Sequence, residues 1–313
     1  MNMIAKDIAY VALVSNDVAA TSAVFEHQLG LPRNELVSGL TGEIVPVFTI
    51  GRAALAVFPV GDPMVGGQDK PGVHHIALVS DDIEATRAQL AAQGLELSAK
   101  GEPGLGGQVV YKLPRASTDG VITWFTGKLD LKPHAPGGPI ERIDHLGVAV
   151  EDVYRSEKIF AGKLGFEVES RQTDMEVTMA IESFTSDKYG VVYHNRKPVP
   201  AGGLRVSFIT VGDCELEFLA NFDPNQDAEV VHGQPGNTKG DQGAITRFVQ
   251  TRGAGLHHIA LKSADINAVL TKLHAAGVPM IDLKGRPGSR RALIGFTHPK
   301  GLGGILMHIC DRP

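Results

Sequence analysis

The heptapeptide Gly72-Val73-His74-His75-Ile76-Ala77-Leu78 returns 183 positions later as Gly255-Leu256-His257-His258-Ile259-Ala260-Leu261. A phrase of this length recurring in one chain requires a fold built from repeated supersecondary units. The likeness runs on. Val79-Ser80-Asp81-Asp82-Ile83-Glu84-Ala85 and Lys262-Ser263-Ala264-Asp265-Ile266-Asn267-Ala268 follow, then Leu90-Ala91-Ala92-Gln93-Gly94-Leu95 and Leu273-His274-Ala275-Ala276-Gly277-Val278. Two weaker copies begin around Tyr10 and His145 and share the tails Leu29-Gly30-Leu31 and Leu164-Gly165-Phe166. The chain thus divides into four modules starting near Ile8, Val73, Ile143 and Leu256.

Each module opens with an alternating apolar run, which reads as a half-buried strand, followed by an Asp suited to cap a helix. Apolar residues then recur at helical spacing, as in Ile83, Leu90 and Ala91, or Ile266, Val269, Leu270 and Leu273. Gly30, Gly94, Gly165 and Gly277 fall where a helix would end in left-handed geometry. Further strand-like runs follow, including Ala53 to Pro59, Val121 to Thr126, Glu215 to Ala220 and Ile305 to Cys310. The unit is βαβββ, and the fold class is α+β, with curved sheets and outer helices. The 313 residues allow two domains, each with its own core, at 1–127 and 142–313, joined by a Pro- and Gly-rich linker at 128–141.

A formal charge of −5 with no basic cluster argues against nucleic acid, since the doublet Arg290-Arg291 is too small to change the balance. Met1 to Val14 reads as a strand, not a secretion signal, and no apolar run reaches membrane-spanning length, so a cytoplasmic address is expected. Cys214 and Cys310 are read as buried thiols. The sequence does not set the oligomeric state and leaves a homodimer open. His145 to His258 spans 113 positions where Tyr10 to His75 spans 65. The excess lies at Thr173 to Gly203 and Asn221 to Ala254, and the first of these is apolar enough to cover a pocket.

Side chains alternate across a strand, so parity decides which residues share a face. Leu146, Val148 and Val150 must meet a helix, which leaves His145 on the opposite face. The same argument puts His258 opposite Ile259 and Leu261, Glu217 (with Glu215) opposite Leu216 and Phe218, and His308 (with Leu306 and Cys310) opposite Met307 and Ile309. One imidazole or carboxylate from each of four strands can therefore converge inside one curved sheet. Imidazole plus carboxylate suits a divalent metal such as Zn, Co, Ni, Mn or Fe. His74 and His257 have the other parity and are expected to donate to backbone. In the N-terminal half Tyr10, Ala56 and Trp124 stand where ligands would be, so His75 is isolated.

Paired βαβββ modules carrying His and Glu on first and last strands resemble the vicinal oxygen chelate superfamily of glyoxalase I, bleomycin resistance proteins and extradiol dioxygenases. The likeness is closest to methylmalonyl-CoA epimerase. It rests on His145-Leu146-Gly147-Val148-Ala149-Val150, Leu164-Gly165-Phe166, Leu216-Glu217-Phe218-Leu219, Gly255 to Leu261, and Phe296-Thr297-His298-Pro299-Lys300 with Gly303-Gly304-Ile305-Leu306. The resemblance implies metal ligands at His145, Glu217 and His258, with His308 in the fourth position, where relatives usually carry Glu. It implies catalytic roles for Glu217 and His308, and a small substrate that chelates the metal through neighbouring oxygens and reacts through an enolate-like intermediate. A non-haem Fe(II) dioxygenase and a metal-free binding protein are the alternative readings. His298-Pro299-Lys300 is read as the turn before the final strand.

Overall fold

A strand with large aliphatics on one face must bury that face against a helix, and a repeat of such strands gives a sheet with helices on one side. The computed structural model describes residues 3–178, 181–186, 188, 190–195, 199–222 and 241–312. Each half of the chain forms one eight-stranded sheet. The first contains β1 (Ile8–Ser15), β2 (Arg33–Val37), β3 (Ile44–Ile50), β4 (Ala53–Pro59), β5 (Gly72–Val79), β6 (Glu102–Pro103), β7 (Val109–Lys112) and β8 (Ile122–Thr126), in the order β2-β3-β4-β1-β5-β8-β7-β6. In the second half β9 (Arg142–Ala149) and β10 (Glu167–Thr178) precede a separate hairpin of β11 (Ile181–Ser186) and β12 (Gly190–Asn195). The sheet continues with β13 (Val199–Val211), β14 (Cys214–Phe222), β15 (Gly255–Lys262), β16 (Arg286–Pro287), β17 (Leu293–Phe296) and β18 (Met307–Asp311). Its order, β10-β13-β14-β9-β15-β18-β17-β16, repeats that of the first sheet.

The first strands of the two modules in each half lie antiparallel at the sheet centre, β1 with β5 and β9 with β15. Each first strand also runs parallel to the last strand of its own module: β1 with β4, β5 with β8, β9 with β14, β15 with β18. The modules pair within halves, as the repeat predicts. After each first strand comes a helix: α1 (Val18–Ala23), α2 (Ile83–Ala92), α3 (Val153–Phe160) and, beyond the extra helix α4 (Asp241–Arg252), α5 (Ile266–Ala275). Asp17, Asp82, Asp152 and Asp265 cap the four module helices by accepting amide hydrogen bonds. The four glycines expected beyond these helices have φ between 68° and 79°. No helix among the described residues is long and apolar enough to cross a membrane.

The helix-facing side chains of both halves form one continuous buried cluster, from Val11, Leu55 and Ile76 to Leu146, Leu216, Ile259 and Ile309. Two separate cores are expected from length alone, but the halves bury this face together. Polar contacts bind the same junction: Asn16 N–H donates to Gly303 O at 2.8 Å, Arg115 Nη2 to Ala254 O at 2.9 Å, and Ser156 Oγ to Asp119 Oδ2 at 2.6 Å. The concave faces differ. In the first half Tyr10, Val47, Phe58, Met64, Leu105 and Trp124 fill the hollow with side chains. In the second, Ala149, Leu204, Val206, Phe208, Leu219 and Ile245 occupy only part of it. Ile245 comes from α4, so the insert at 221–254 supplies cover for this face. The cover expected from 173–203 rests on side chains at 174–202 that lie almost wholly outside the described residues; its backbone lengthens the edge pair of β10 and β13.

Gly120 lies where the halves meet, with φ +87° and with so little room that a Cβ there would fall only 2.1 Å from Ala254 O. Gly120→Ala is therefore expected to cost roughly 2 kcal/mol or more through left-handed backbone strain and backbone collision. The midpoint of denaturant unfolding should fall accordingly, whereas an unchanged midpoint would mean that the halves can shift apart freely.

Candidate metal centre

Two β-bulges set up the centre. Along β9 and β15, Leu256 pairs with Val148 and His258 with Gly147, leaving His257 as an extra residue. Ala260 then pairs with His145 and Leu261 with Ile143, leaving Asp144 extra on the other strand. An extra residue resets parity beyond it. Leu256 can thus join the helix-facing core while His258 faces the hollow. The first half carries both bulges at equivalent places, at Ala9 and His74, so they belong to the fold rather than to the chemistry.

All four side chains expected on the concave face are there. His145, His258 and His308 each offer a ring nitrogen, and these nitrogens lie within 4.8 Å of one another. Glu217 Oε2 stands 3.3 Å from His145 Nε2 and 3.5 Å from His258 Nε2. The four residues are only 3–7% exposed. Gly147 makes room for them, because a Cβ there would fall 2.0 Å from Cε1 of the His258 ring. Among the described residues both ring nitrogens of His308 have no hydrogen-bond partner, and Nε2 of His258 has only the Glu217 carboxylate 3.5 Å away, outside good hydrogen-bond geometry. Buried polar atoms left unpaired cost about 1–3 kcal/mol each unless something else satisfies them. A divalent cation would do so, and the donor set suits one.

The charges agree with that fit. Burial pushes the His308 imidazole well below its ordinary pKa, aided by repulsion from His145 and His258, so the ring is neutral at neutral pH. Burial likewise lowers His258, against the opposing pull of Glu217. At His145 burial works the same way, but the carboxylates of Glu217 and Asp144 outweigh it and raise the pKa. Burial opposes ionisation of Glu217, yet the neighbouring imidazoles prevail and lower its pKa.

His257 departs from expectation. Its Nδ1 lies 3.0 Å from His258 Nδ1, so it bonds to the next ring, not to backbone, because the bulge turns both rings to one side. His74 and His75 form the same pair at 2.7 Å. In the first half the hollow around His75 is solid: Tyr10 Oη lies 3.3 Å from His75 Nε2, and Trp124 stacks on the His75 ring at 3.7 Å between centroids. Ala56 stands on β4 where Glu217 stands on β14. Glu215, the face-mate of Glu217, is engaged by Arg290 at 2.6 Å and Arg312 at 3.2 Å. His298 caps the turn Pro299–Leu302 by accepting from Lys300 N–H, which is the structural role expected of it.

Sequence parity missed Asp144. Its side chain is wholly buried, its Oδ2 lies 2.9 Å from His145 Nδ1, and its Oδ1 accepts from Arg312 Nε at 3.0 Å. A carboxylate directly before a ligand-type His was the available signal, but alternation placed it on the wrong face. Above the centre opens a cavity of about 940 Å³, part of it open to solvent, walled by Leu204, Val206, Phe208, Ile245, Ile294 and Phe296.

Comparison with known proteins gives two family matches. Models described as the Glyoxalase/Bleomycin resistance protein/Dioxygenase superfamily match residues 7–130 and 144–296. Mitochondrial methylmalonyl-CoA epimerase of Mus musculus is 22% identical over 188 residues, covering 60% of this chain and 82% of the epimerase. Over 98% of the chain the fold is similar to a mutant of 4-hydroxymandelate synthase from Streptomyces coelicolor, with TM-score 0.63, 16% identity and 93% of that chain covered. It is also similar to BphC, a halotolerant catechol dioxygenase, with TM-score 0.56, 14% identity, and coverage of 98% of this chain and 87% of that one.

Two substitutions separate the halves. Gly147→Ala should displace the His258 ring and lower zinc affinity while leaving far-UV circular dichroism unchanged. His75→Ala should leave zinc binding as it is but cost about 1–3 kcal/mol of stability through the lost Tyr10 bond and ring stacking. Loss of zinc in His75→Ala would assign the metal to the wrong half.

Proposed function

This chain belongs, through both of its halves, to the Glyoxalase/Bleomycin resistance protein/Dioxygenase superfamily, and on that premise we propose that its C-terminal domain is a metal-dependent isomerase or lyase. The substrate is a small acid, thioester or hydroxy-carbonyl compound with neighbouring oxygens. One observation carries the reading: His145, Glu217, His258 and His308 converge beneath an open cavity, and among the described residues neither ring nitrogen of His308 has a hydrogen-bond partner. His145, Glu217 and His258 would hold the metal, with His308 as a fourth ligand or as the base that takes the α-proton. When bound, a divalent metal supplies Lewis acidity that stabilises an enolate-like oxyanion on the substrate.

The chain's own groups do the rest. Glu217 keeps its negative charge in a buried place because two imidazoles face it. His308, neutral and without a hydrogen-bond partner among the described residues, has a lone pair to offer either to a cation or to a proton. The apolar walls exclude water from the body of the substrate. The charged lining residues Asp144, Arg290 and Arg312 have partners of opposite sign, in Arg312, Glu215 and Asp144 respectively. The recognised body is accordingly apolar beyond its chelating head. The N-terminal domain, with its hollow filled, contributes the shared core and no ligands. The domain limits proposed are 1–127 and 142–313.

A second reading, a non-haem Fe(II) dioxygenase, is favoured by the whole-chain similarity in fold to a catechol dioxygenase and by a two-His, one-carboxylate set in His145, His258 and Glu217. Fe(II) loaded without oxygen, followed by oxygen-uptake measurement with catechols and aryl pyruvates, separates the two.

His258→Ala is expected to abolish metal binding, because it removes one of the proposed ligands from the buried cluster. Solvent deuterium should enter the α-carbon of a chelating substrate in the zinc- or cobalt-loaded protein, with chelator abolishing exchange. A panel of 2-substituted acyl-CoA thioesters and glutathione hemithioacetals is suitable. Absence of exchange across the panel, with oxygen uptake present, would transfer the assignment to the dioxygenase. Protein that binds no divalent metal at all would make it a binding protein. His308→Glu should retain metal, whereas His308→Ala should lose turnover by at least about tenfold whether the ring is ligand or base.

A further inference from the structure

We infer that Asp144 is a positioning residue for this centre: its carboxylate fixes the His145 ring with Nδ1 donating and Nε2 left free to coordinate. The inference rests on the metal reading of the four-residue cluster. His145 has two ring nitrogens facing two different carboxylates. Nδ1 lies 2.9 Å from Asp144 Oδ2, while Nε2 faces the cluster, 3.3 Å from Glu217 Oε2. A neutral imidazole carries its proton on one nitrogen only, and the nitrogen that donates to an outer carboxylate leaves the other as the ligand atom.

Asp144 is itself held. Its Oδ1 accepts from Arg312 Nε at 3.0 Å and Arg142 Nη2 at 3.3 Å. Arg312 is tied in turn to Glu215 at 3.2 Å, and Glu215 to Arg290 at 2.6 Å. A wholly buried carboxylate with two guanidinium partners cannot turn away without leaving a charge unpaired. The bulge is what allows this, because it places two consecutive residues, Asp144 and His145, against one partner and lets their side chains meet.

The first half provides an internal comparison. It has the same bulge, but Ala9 takes the place of Asp144, Tyr10 that of His145 and Trp124 that of His308. The His74–His75 contact, by contrast, is kept there in the absence of any ligand set. The paired histidines therefore go with the fold, while the outer carboxylate occurs with the imidazole cluster.

Two measurements test the role. In protein carrying ¹⁵N-labelled histidine, long-range ¹H–¹⁵N spectra of the zinc-loaded form should show His145 protonated at Nδ1 and coordinated through Nε2. Through-bond assignment of the histidine ring resonances to the backbone identifies the signal. Coordination through Nδ1 would overturn the inference with no need for any variant at Asp144. Competition with a chromogenic chelator should show zinc affinity falling by about 10–100-fold in Asp144→Asn, with far-UV circular dichroism of the metal-free protein unchanged. If wild type and His258→Ala bind zinc equally, the metal reading itself fails. If zinc binding needs His258 but Asp144→Asn binds as tightly as wild type, only the positioning role fails. Should Asp144→Asn not fold, the wild-type spectrum decides.

Discussion

Gly147 has no side chain, and the ring of His258 occupies the space a Cβ would need. The candidate centre depends on this close approach of β9 and β15 across the middle of the second sheet. The antiparallel pair brings His145 and His258 from two different modules to one side. The parallel pairs on either flank then add Glu217 from β14 and His308 from β18, because Glu217 is in register with Gly147 and His308 with Ala260. No loop is needed to assemble the four. Each sits on a strand held by hydrogen bonds on both edges, which is the kind of support that keeps ligand atoms at fixed distances without substrate or metal present.

Duplication makes it possible to see what that arrangement costs. The first half has the same topology and the same two bulges but closes its hollow with Tyr10, Trp124, Phe58 and Met64. Each large apolar side chain buried this way contributes about 1.5–3 kcal/mol. The second half forgoes part of that stabilisation to keep a cavity and several unpaired nitrogens. Since the helix-facing core is continuous through both halves, the filled half can support the open one. A filled hollow beside an open one is then a physical partnership, held by the shared core.

Much of this was legible in the sequence because the repeats supply their own register. Comparing His145 with Tyr10, or His308 with Trp124, required only the phrase boundaries, and strand parity then gave the concave face correctly for all four cluster residues. Parity failed at His257 and Asp144, where an extra residue interrupts alternation. A bulge is a property of the pairing between two strands, and nothing in either strand's own pattern of apolar residues announces it. The shared core was also hidden: periodicity tells that Leu146 or Ile76 is covered, not by which half. α4 escaped notice because 241–252 is largely polar, and its few apolar residues, Ile245, Phe248 and Val249, meet a surface that exists only after the sheet has curled.

The residue at position 308 shows how the two hollows are related. In both halves the strand position that faces the centre from the last strand holds a ring: Trp124 stacks on His75 at 3.7 Å, and His308 lies 5.1 Å from the His258 ring and 4.5 Å from Phe296. The slot is flanked by aromatic surface, and among the described residues no donor or acceptor pairs with His308. A neutral imidazole there keeps the ring packing and still presents a lone pair. The electrostatic consequence follows from the count of charges. Three neutral imidazoles and one carboxylate around a divalent cation leave a net charge of about +1, where two imidazoles and two carboxylates leave zero. On the proposed reading, with a divalent metal held by these four residues, that difference would favour the substrate state that carries more negative charge on its oxygens.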